Sequence, residues 1–429
     1  MENIKKLLFL LTPLERKNAA KLLVMILVMA LMDTIGVASI LPFMAVLTTP
    51  TIIETNVIIN KMYQASNIFG VNDTQQFLFA LGILVFLILV FSLIFKGFTT
   101  YVQVRFIQMR EYSVGKRLVQ GYLHQPYSWF LNRNSAELGK NILSEVAHVI
   151  GTGLRPLIEL IAKSMVAIAL IALLVIADPK LAIIVGLSIG GSYGLIFHII
   201  RHYLKRIGKD RLKTNEMRFT SVSEAFGASK EVKVGGLEQT YIQYFSNAAK
   251  TYASTQASSQ AINQIPRFFL EAIGFGGILL IILHMMAKSG SFNDSLPIIS
   301  LYVFAGYRLM PAVQQIYVSF ARLTFIGPSL DKLYNEIKNL KPPKEDINQD
   351  ALSLQKTIEL KNVYYNYPNS VRTALKNINI NISAKSTVGL VGTTGSGKTT
   401  TVDIILGLLE SQSGTLEIDG QVITKHNQR

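Results

Sequence analysis

TVGLVGTTGSGKTTTVDIILGLL, residues Thr387 to Leu409, is the stretch on which the reading of this chain turns. Its centre, Gly392-Thr-Thr-Gly-Ser-Gly-Lys-Thr399, has a glycine, four free positions, then Gly-Lys-Thr, the spacing of a phosphate loop. The apolar run Val388, Leu390 and Val391 before it predicts a short buried strand. Val402, Ile405, Leu406 and Leu409 after it recur at helical spacing and predict one apolar helix face. Gly392, Gly395 and Gly397 allow backbone conformations closed to residues with a Cβ. The loop amides and the open end of the following helix then converge on one point, an anion site. The expected contact set is Gly392, Thr393, Thr394, Gly395, Ser396, Gly397, Lys398, Thr399 and Thr400. Lys398 would reach the outer phosphates of ATP, and the Thr399 hydroxyl would sit on Mg²⁺.

Composition sets the surroundings of that loop. Half of the 429 residues are hydrophobic and the mean hydropathy is +0.35, which marks a membrane protein rather than an ordinary soluble one. The net charge of +15 lies beside apolar runs, and no nucleic-acid recognition motif accompanies it, so no nucleic-acid partner is expected. With no cysteine, disulfides, thiol catalysis and thiolate metal sites are excluded. The first residues, MENIKKLLFLLTPLERKNAAKLL, have no small-residue cleavage site and predict an amphipathic lead-in, not a removable signal peptide.

Six hydrophobic segments precede the loop: about Leu22–Leu47, Phe77–Phe95, Ser164–Ala177, Leu181–Ile200, Phe268–Ala287 and Leu296–Phe320. Asp33, Gly36 and Pro42 lie inside the first, and Asp178-Pro179 separates the third from the fourth. Lysine and arginine crowd the N-terminal lead-in and the connections between spans two and three and between four and five. The alternate connections hold only Lys61, Lys180 and Lys288. By the positive-inside rule the N-terminus, both long connections and everything after span six are cytoplasmic, which puts the phosphate loop where ATP is. The long connections are rich in helix formers and predict spans two to five extending beyond the bilayer. They would turn near Tyr127–Leu138 and near Ser223–Glu238. LKPPKED from Leu340 predicts a linker, Thr357–Tyr365 and Leu375–Ile382 predict strands, and Asp419-Gly420 predicts a hairpin turn.

Six spans, helical extensions and a phosphate-loop domain, in that order, resemble an ABC exporter half-transporter over essentially the whole chain. The fold expected is an α-helical membrane domain with six transmembrane helices, followed by a partial α/β P-loop NTPase domain. Its parts are residues 1–340 as membrane domain, 341–356 as linker and 357–429 as the start of the nucleotide domain. The resemblance implies that an aromatic upstream of the loop stacks on adenine. VYYNYP offers Tyr367, with Tyr364 and Tyr365 as weaker matches and a core tyrosine as the alternative. ESQSGTLEIDG (Glu410–Gly420) resembles the family's hairpin after the loop helix.

DTIGVASILPF, IPRFFLEAIGF and YRLMPAVQQIY in spans one, five and six are similar to bacterial flippases of lipid-linked oligosaccharides. That resemblance implies a polyprenyl-pyrophosphate glycolipid substrate, a homodimer and the bacterial inner membrane. Charges inside spans are costly and usually face a cavity or a partner. Lys96, Arg267 and Arg308 are therefore candidates for the substrate's pyrophosphate. Interfacial snorkelling, or pairing with Glu271, is the alternative for Lys96 and Arg267. Asp33 and Glu271 are expected to pair with basic residues, with proton relay as the rival role.

Nothing after Lys398 resembles the family's glutamine loop, signature, acidic strand end or switch histidine, and His426 lies in a terminal tail. The chain is thus expected to bind nucleotide but to hydrolyse it poorly, and to expose unpaired strand edges. An exporter of another lipid, a peptide or a drug, and a nucleotide-binding membrane protein without transport, are the alternatives.

Overall fold

The computed structural model describes residues 2–71, 73–177, 179–289, 296–340, 354–368, 370 and 372–424. Most of the expected linker (residues 341–353) and the tail with His426 lie outside the described residues. The chain divides into two compact units, Met1–Leu118 with Ala136–Lys338, and Val119–Ser135 with Asn339–Arg429.

The first unit is helical. Its main helices are α1 (Pro13–Ala38), α2 (Thr74–Leu123), α3 (Arg155–Ala177), α4 (Pro179–Gly227), α5 (Glu238–Ser289), α6 (Leu296–Phe325) and α7 (Gly327–Asn339). Thr12 and Glu15 form a reciprocal capping box at the start of α1. The first expected span is not one helix: α1 stops at Ala38 and a short helix, Ile40–Thr48, follows. Pro42 has no N–H to donate to the Ala38 carbonyl, so the ladder is interrupted there. Helices α2, α4 and α5 run for 50, 49 and 52 residues, much longer than the about 20 a bilayer requires. Among the described residues, three stretches are long and apolar enough to cross a membrane: Pro13–Thr48, Thr74–Leu123 and Ser135–Ile176.

Met29, Ala30 and Val37 of α1 pack with Val166 and Leu170 of α3 and Leu309 of α6 in one buried cluster. The opposite faces stay apolar and exposed, as at Leu31, Ile35, Phe86 and Ile94, which suits contact with lipid. Two π-helical turns, Asn141–Glu145 and Ile150–Leu154, precede α3. Glu145 of the first is buried on Arg211 of α4 at 2.6 Å, and Asn215 donates to its other oxygen at 2.8 Å. Where α4 crosses α6, Gly208 lies so close that a Cβ there would stand 2.2 Å from the Phe325 carbonyl oxygen.

The second unit holds a four-stranded antiparallel sheet of β1 (Thr357–Tyr365), β2 (Leu375–Ser383), β3 (Ser413–Ile418) and β4 (Gln421–Val422), in the order β2-β1-β3-β4. Asp419 and Gly420 turn β3 into β4, both with left-handed backbone (φ 51° and 83°), the conformation that Asp-Gly supplies at a two-residue hairpin. The Asp419 carboxylate also accepts from the backbone N–H groups of Gln355, Lys356 and Thr357 at 2.7–2.8 Å, fastening the start of β1. One helix, α8 (Lys398–Ile405), covers the sheet, with Ile404 and Leu409 buried against Leu360, Val363, Leu375 and Leu416.

Two expectations for this unit need correction. Val388, Leu390 and Val391 do not form a strand: none is in a ladder, and Val391 is 94% exposed. Among the described residues no strand pairs with the run, and Val388 and Leu390 are only partly covered. The buried face of α8 is also rotated from the expected stripe. Of the expected stripe Ile405 and Leu409 pack on the sheet cluster, but Val402 and Leu406 are exposed and Thr400, Thr401 and Ile404 are buried instead, because the sheet meets the helix on the 400–404 side.

Candidate functional site

The loop from Gly392 to Lys398 connects the exposed run to α8. All three of its glycines have positive φ, at 156°, 81° and 89°. At Gly397 the requirement is double: a Cβ would meet Leu375 Cδ2 at 2.6 Å and the Ala374 carbonyl oxygen at 2.7 Å. Gly397 also occupies the N-cap of α8, where no side chain caps the helix. The first-turn amides therefore stay available for an anion, with the positive end of the helix dipole behind them.

Lys398 opens α8 and folds its ammonium back across the loop. It donates to the carbonyl oxygens of Gly392 at 2.8 Å and Thr393 at 2.9 Å, and reaches Ser396 Oγ at 3.4 Å. The lysine is thus pinned within the loop, beside the amides. Thr399 is exposed one residue into the helix and is free to offer its hydroxyl to a cation. A Mg²⁺ there would take one protein oxygen and fill the rest of its shell from phosphates and water, the usual arrangement for this ion.

Thr400 is placed differently from its neighbours. Its side chain is buried, and its hydroxyl bonds the Tyr367 hydroxyl at 2.9 Å. Tyr367 is half-buried, edge-on to Tyr365 with ring centroids 5.1 Å apart. Tyr367 and the residues from Thr394 to Thr400 line one open cleft of about 540 Å³. Tyr364 and Tyr365 do not line it, because alternation along β1 buries Tyr365 in the sheet core and sends Tyr364 to the other face. The cleft also contains Ser370, Arg372 and Thr373, which sequence reasoning did not single out. Only the fold of the β1–β2 connection brings them to the loop.

In the helical unit, Lys96 Nζ lies 3.3 Å from buried Asp33, which also accepts from Ser92 at 3.0 Å. Arg267 Nε donates to Glu271 at 2.6 Å, one turn along α5. These two line a cavity of about 400 Å³ with Tyr193, Tyr307, Pro311 and Gln314. Arg308 is on α6, next to Tyr307, and its side chain lies outside the described residues. Lys163 of α3 is half-buried within electrostatic reach of Lys96, Asp33 and Glu159.

Long apolar helices in one unit and a phosphate loop on a small sheet in the other define a membrane protein with a nucleotide-type loop. The family model "ABC transporter transmembrane region" matches residues 23–306, and the model "ABC transporter" matches residues 375–429. The chain belongs to the ABC transporter family. It is 25% identical over 307 residues to the ATP-dependent lipid A-core flippase of Cupriavidus pinatubonensis, with 70% of this chain and 51% of that protein covered. Over 294 residues it is 23% identical to the chloroplastic ABC transporter B family member 29 of Arabidopsis thaliana, covering 67% of this chain and 45% of that one. A solved bacterial Atm1-family ABC exporter with ATP bound has the same fold, with a TM-score of 0.67 at 16% identity, over 95% of this chain and 69% of that chain. The chain spans about half the length of the curated relatives it matches.

Proposed function

We propose that the chain carries the membrane region and the ATP-binding loop of a transporter that flips a polyprenyl-pyrophosphate-linked oligosaccharide across the bacterial inner membrane. It would act as a homodimer with six spans per chain, its N-terminus and nucleotide domain in the cytoplasm. Residues 1–340 form the membrane domain, 341–356 the linker and 357–429 the first part of the nucleotide domain in this reading. The observation that carries it is the Lys398 loop. A helix start without a side-chain cap, Gly395 and Gly397 at positive φ and a pinned ammonium share one cleft with a tyrosine.

ATP would lie with its base at Tyr367 and its phosphates on the amides of residues 392–399. Mg²⁺ on Thr399 would screen the phosphate charge. Binding would draw two nucleotide domains together, and the long helices would carry that movement to the spans. Arg308, Arg267 and Lys96 are the candidates for the lipid's pyrophosphate, where a guanidinium offers paired bonds. Two of the three already hold a carboxylate, Lys96 on Asp33 and Arg267 on Glu271, so a lipid would have to share them. Of the three, Arg308, inside the sixth apolar segment, is the one to replace first.

The test is binding of a fluorescent ATP analogue with Mg²⁺ to the purified chain in detergent. Wild type should bind and Lys398→Ala should not; equal binding by the two would refute the reading. Arg308→Ala, placed in a chain that transports, should abolish flipping and leave ATP binding intact. The name of the Cupriavidus relative favours a second reading, an exporter of lipid A-type glycolipids. ATPase stimulation by each lipid in proteoliposomes separates the two.

A further inference from the structure

A second cation stands at the loop, from outside the phosphate-loop pattern. Arg372 lies in the connection between β1 and β2 and lines the same cleft as Ser396, Lys398 and Thr399. Its Nη1 is 3.9 Å from where a Cβ on Gly395 would stand. The connection is braced on both sides of it. Ser370 N donates to the Tyr367 carbonyl at 3.1 Å, and Ala374 N to the Tyr365 carbonyl at 3.0 Å. Ser370 Oγ donates to the Arg372 carbonyl at 3.1 Å and accepts from its N–H at 3.2 Å.

The two cations differ in what they hold. Lys398 is bonded to loop carbonyls, whereas no carboxylate pairs with Arg372 among the described residues. Its forked donors are therefore available beside the uncapped start of α8. The cleft also has a direction. Tyr367 is tied to Thr400, on the helix side, whereas Arg372 is at Gly395, five residues back along the loop. A nucleotide with its base at Tyr367 runs its phosphates away from that end.

We infer that Arg372 grips the outer phosphates of a nucleoside triphosphate held on the 392–399 loop. The inference rests on the nucleotide reading above. A guanidinium binds two phosphate oxygens in parallel, which an ammonium does not reproduce. One charge-assisted contact of this kind is expected to change affinity about tenfold or more.

The experiment is titration of the purified full chain with fluorescent ATP and ADP analogues in the presence of Mg²⁺, at two salt concentrations. Arg372→Ala should weaken ATP about tenfold or more and ADP about threefold or less, with a shallower salt dependence. Arg372→Lys should fall between. Arg372→Gln keeps the side chain's bulk and polarity without the charge and should match Arg372→Ala, which separates a folding defect from a lost contact. Unchanged ATP affinity in Arg372→Ala, or ATP and ADP weakened by the same factor, overturns the inference while the nucleotide reading stands. A wild-type chain with no ATP affinity overturns both.

Discussion

Replacing Gly397 with alanine tests the loop at its tightest point. The new Cβ would lie 2.6 Å from Leu375 Cδ2 and 2.7 Å from the Ala374 carbonyl oxygen, and the residue would be held at φ 89°. Left-handed backbone costs an alanine about 1–2 kcal/mol. Forcing a methyl group into a packed site costs about 1–3 kcal/mol more. Leu375 can rotate, but the Ala374 oxygen belongs to the backbone at the start of β2, so relief requires moving the loop or the strand. A total of about 2–5 kcal/mol against the binding conformation predicts at least a thirtyfold loss of ATP affinity, taking about 1.4 kcal/mol per tenfold. The assay is titration with a fluorescent ATP analogue, alongside far-ultraviolet circular dichroism to show that the helices persist. Gly389→Ala is the control, since nothing lies within 4 Å of a Cβ there, and should bind within threefold of wild type. Gly397→Ala binding ATP that well would refute the claim that this close approach sets the loop.

Three further outcomes follow from the packing. Glu145→Ala leaves Arg211 buried without its partner and should cost about 3–5 kcal/mol, read as a fall in unfolding temperature in detergent; replacing both with apolar residues of similar size should cost much less. Gly208→Ala drives a methyl group into the Phe325 carbonyl and should destabilise the protein by about 1–3 kcal/mol. Gly115→Ala, in open space on α2, should instead be neutral or stabilising by up to about 1 kcal/mol, and thermal unfolding distinguishes the two signs. The Asp419 carboxylate is held below its usual range, first by the Gln355 N–H and then by that of Thr357. Its contribution is full above the unfolded value of about 3.9 and is lost as pH falls through the lower folded value. Asp419→Asn should remove that acid-side loss, as followed by amide exchange at the start of β1.

The sequence was most legible where one local rule decided the structure. Asp419-Gly420 could only serve a tight hairpin between two apolar runs, and β1 and β2 fell within a residue of the expected bounds. The helical extensions were equally plain, because stretches rich in helix formers keep their ladder, in α5 even across Pro266. Legibility failed where the outcome depended on a neighbour. Val388, Leu390 and Val391 have the composition of a strand, but a strand requires a second one alongside. The stripe on α8 was misassigned by a fraction of a turn, since the side that is buried is set by where the sheet lies. Tyr367 was legible as a position, but its tether to Thr400 was not, and neither was Arg372, which reaches the loop only through a turn in the chain. Asp33 and Glu271 were expected to attract basic residues, and Lys96 and Arg267 are the ones beside them.

The bare run ahead of the phosphate loop affects how any measurement on this chain is made. Val391 presents nearly its whole side chain to solvent, and among the described residues no strand pairs with the backbone of residues 388–391. Such a ribbon is adhesive. In a concentrated sample an unpaired run of this kind is where two copies would associate. Titrations at several dilutions would expose such association, and are needed before any single dissociation constant is assigned to the chain.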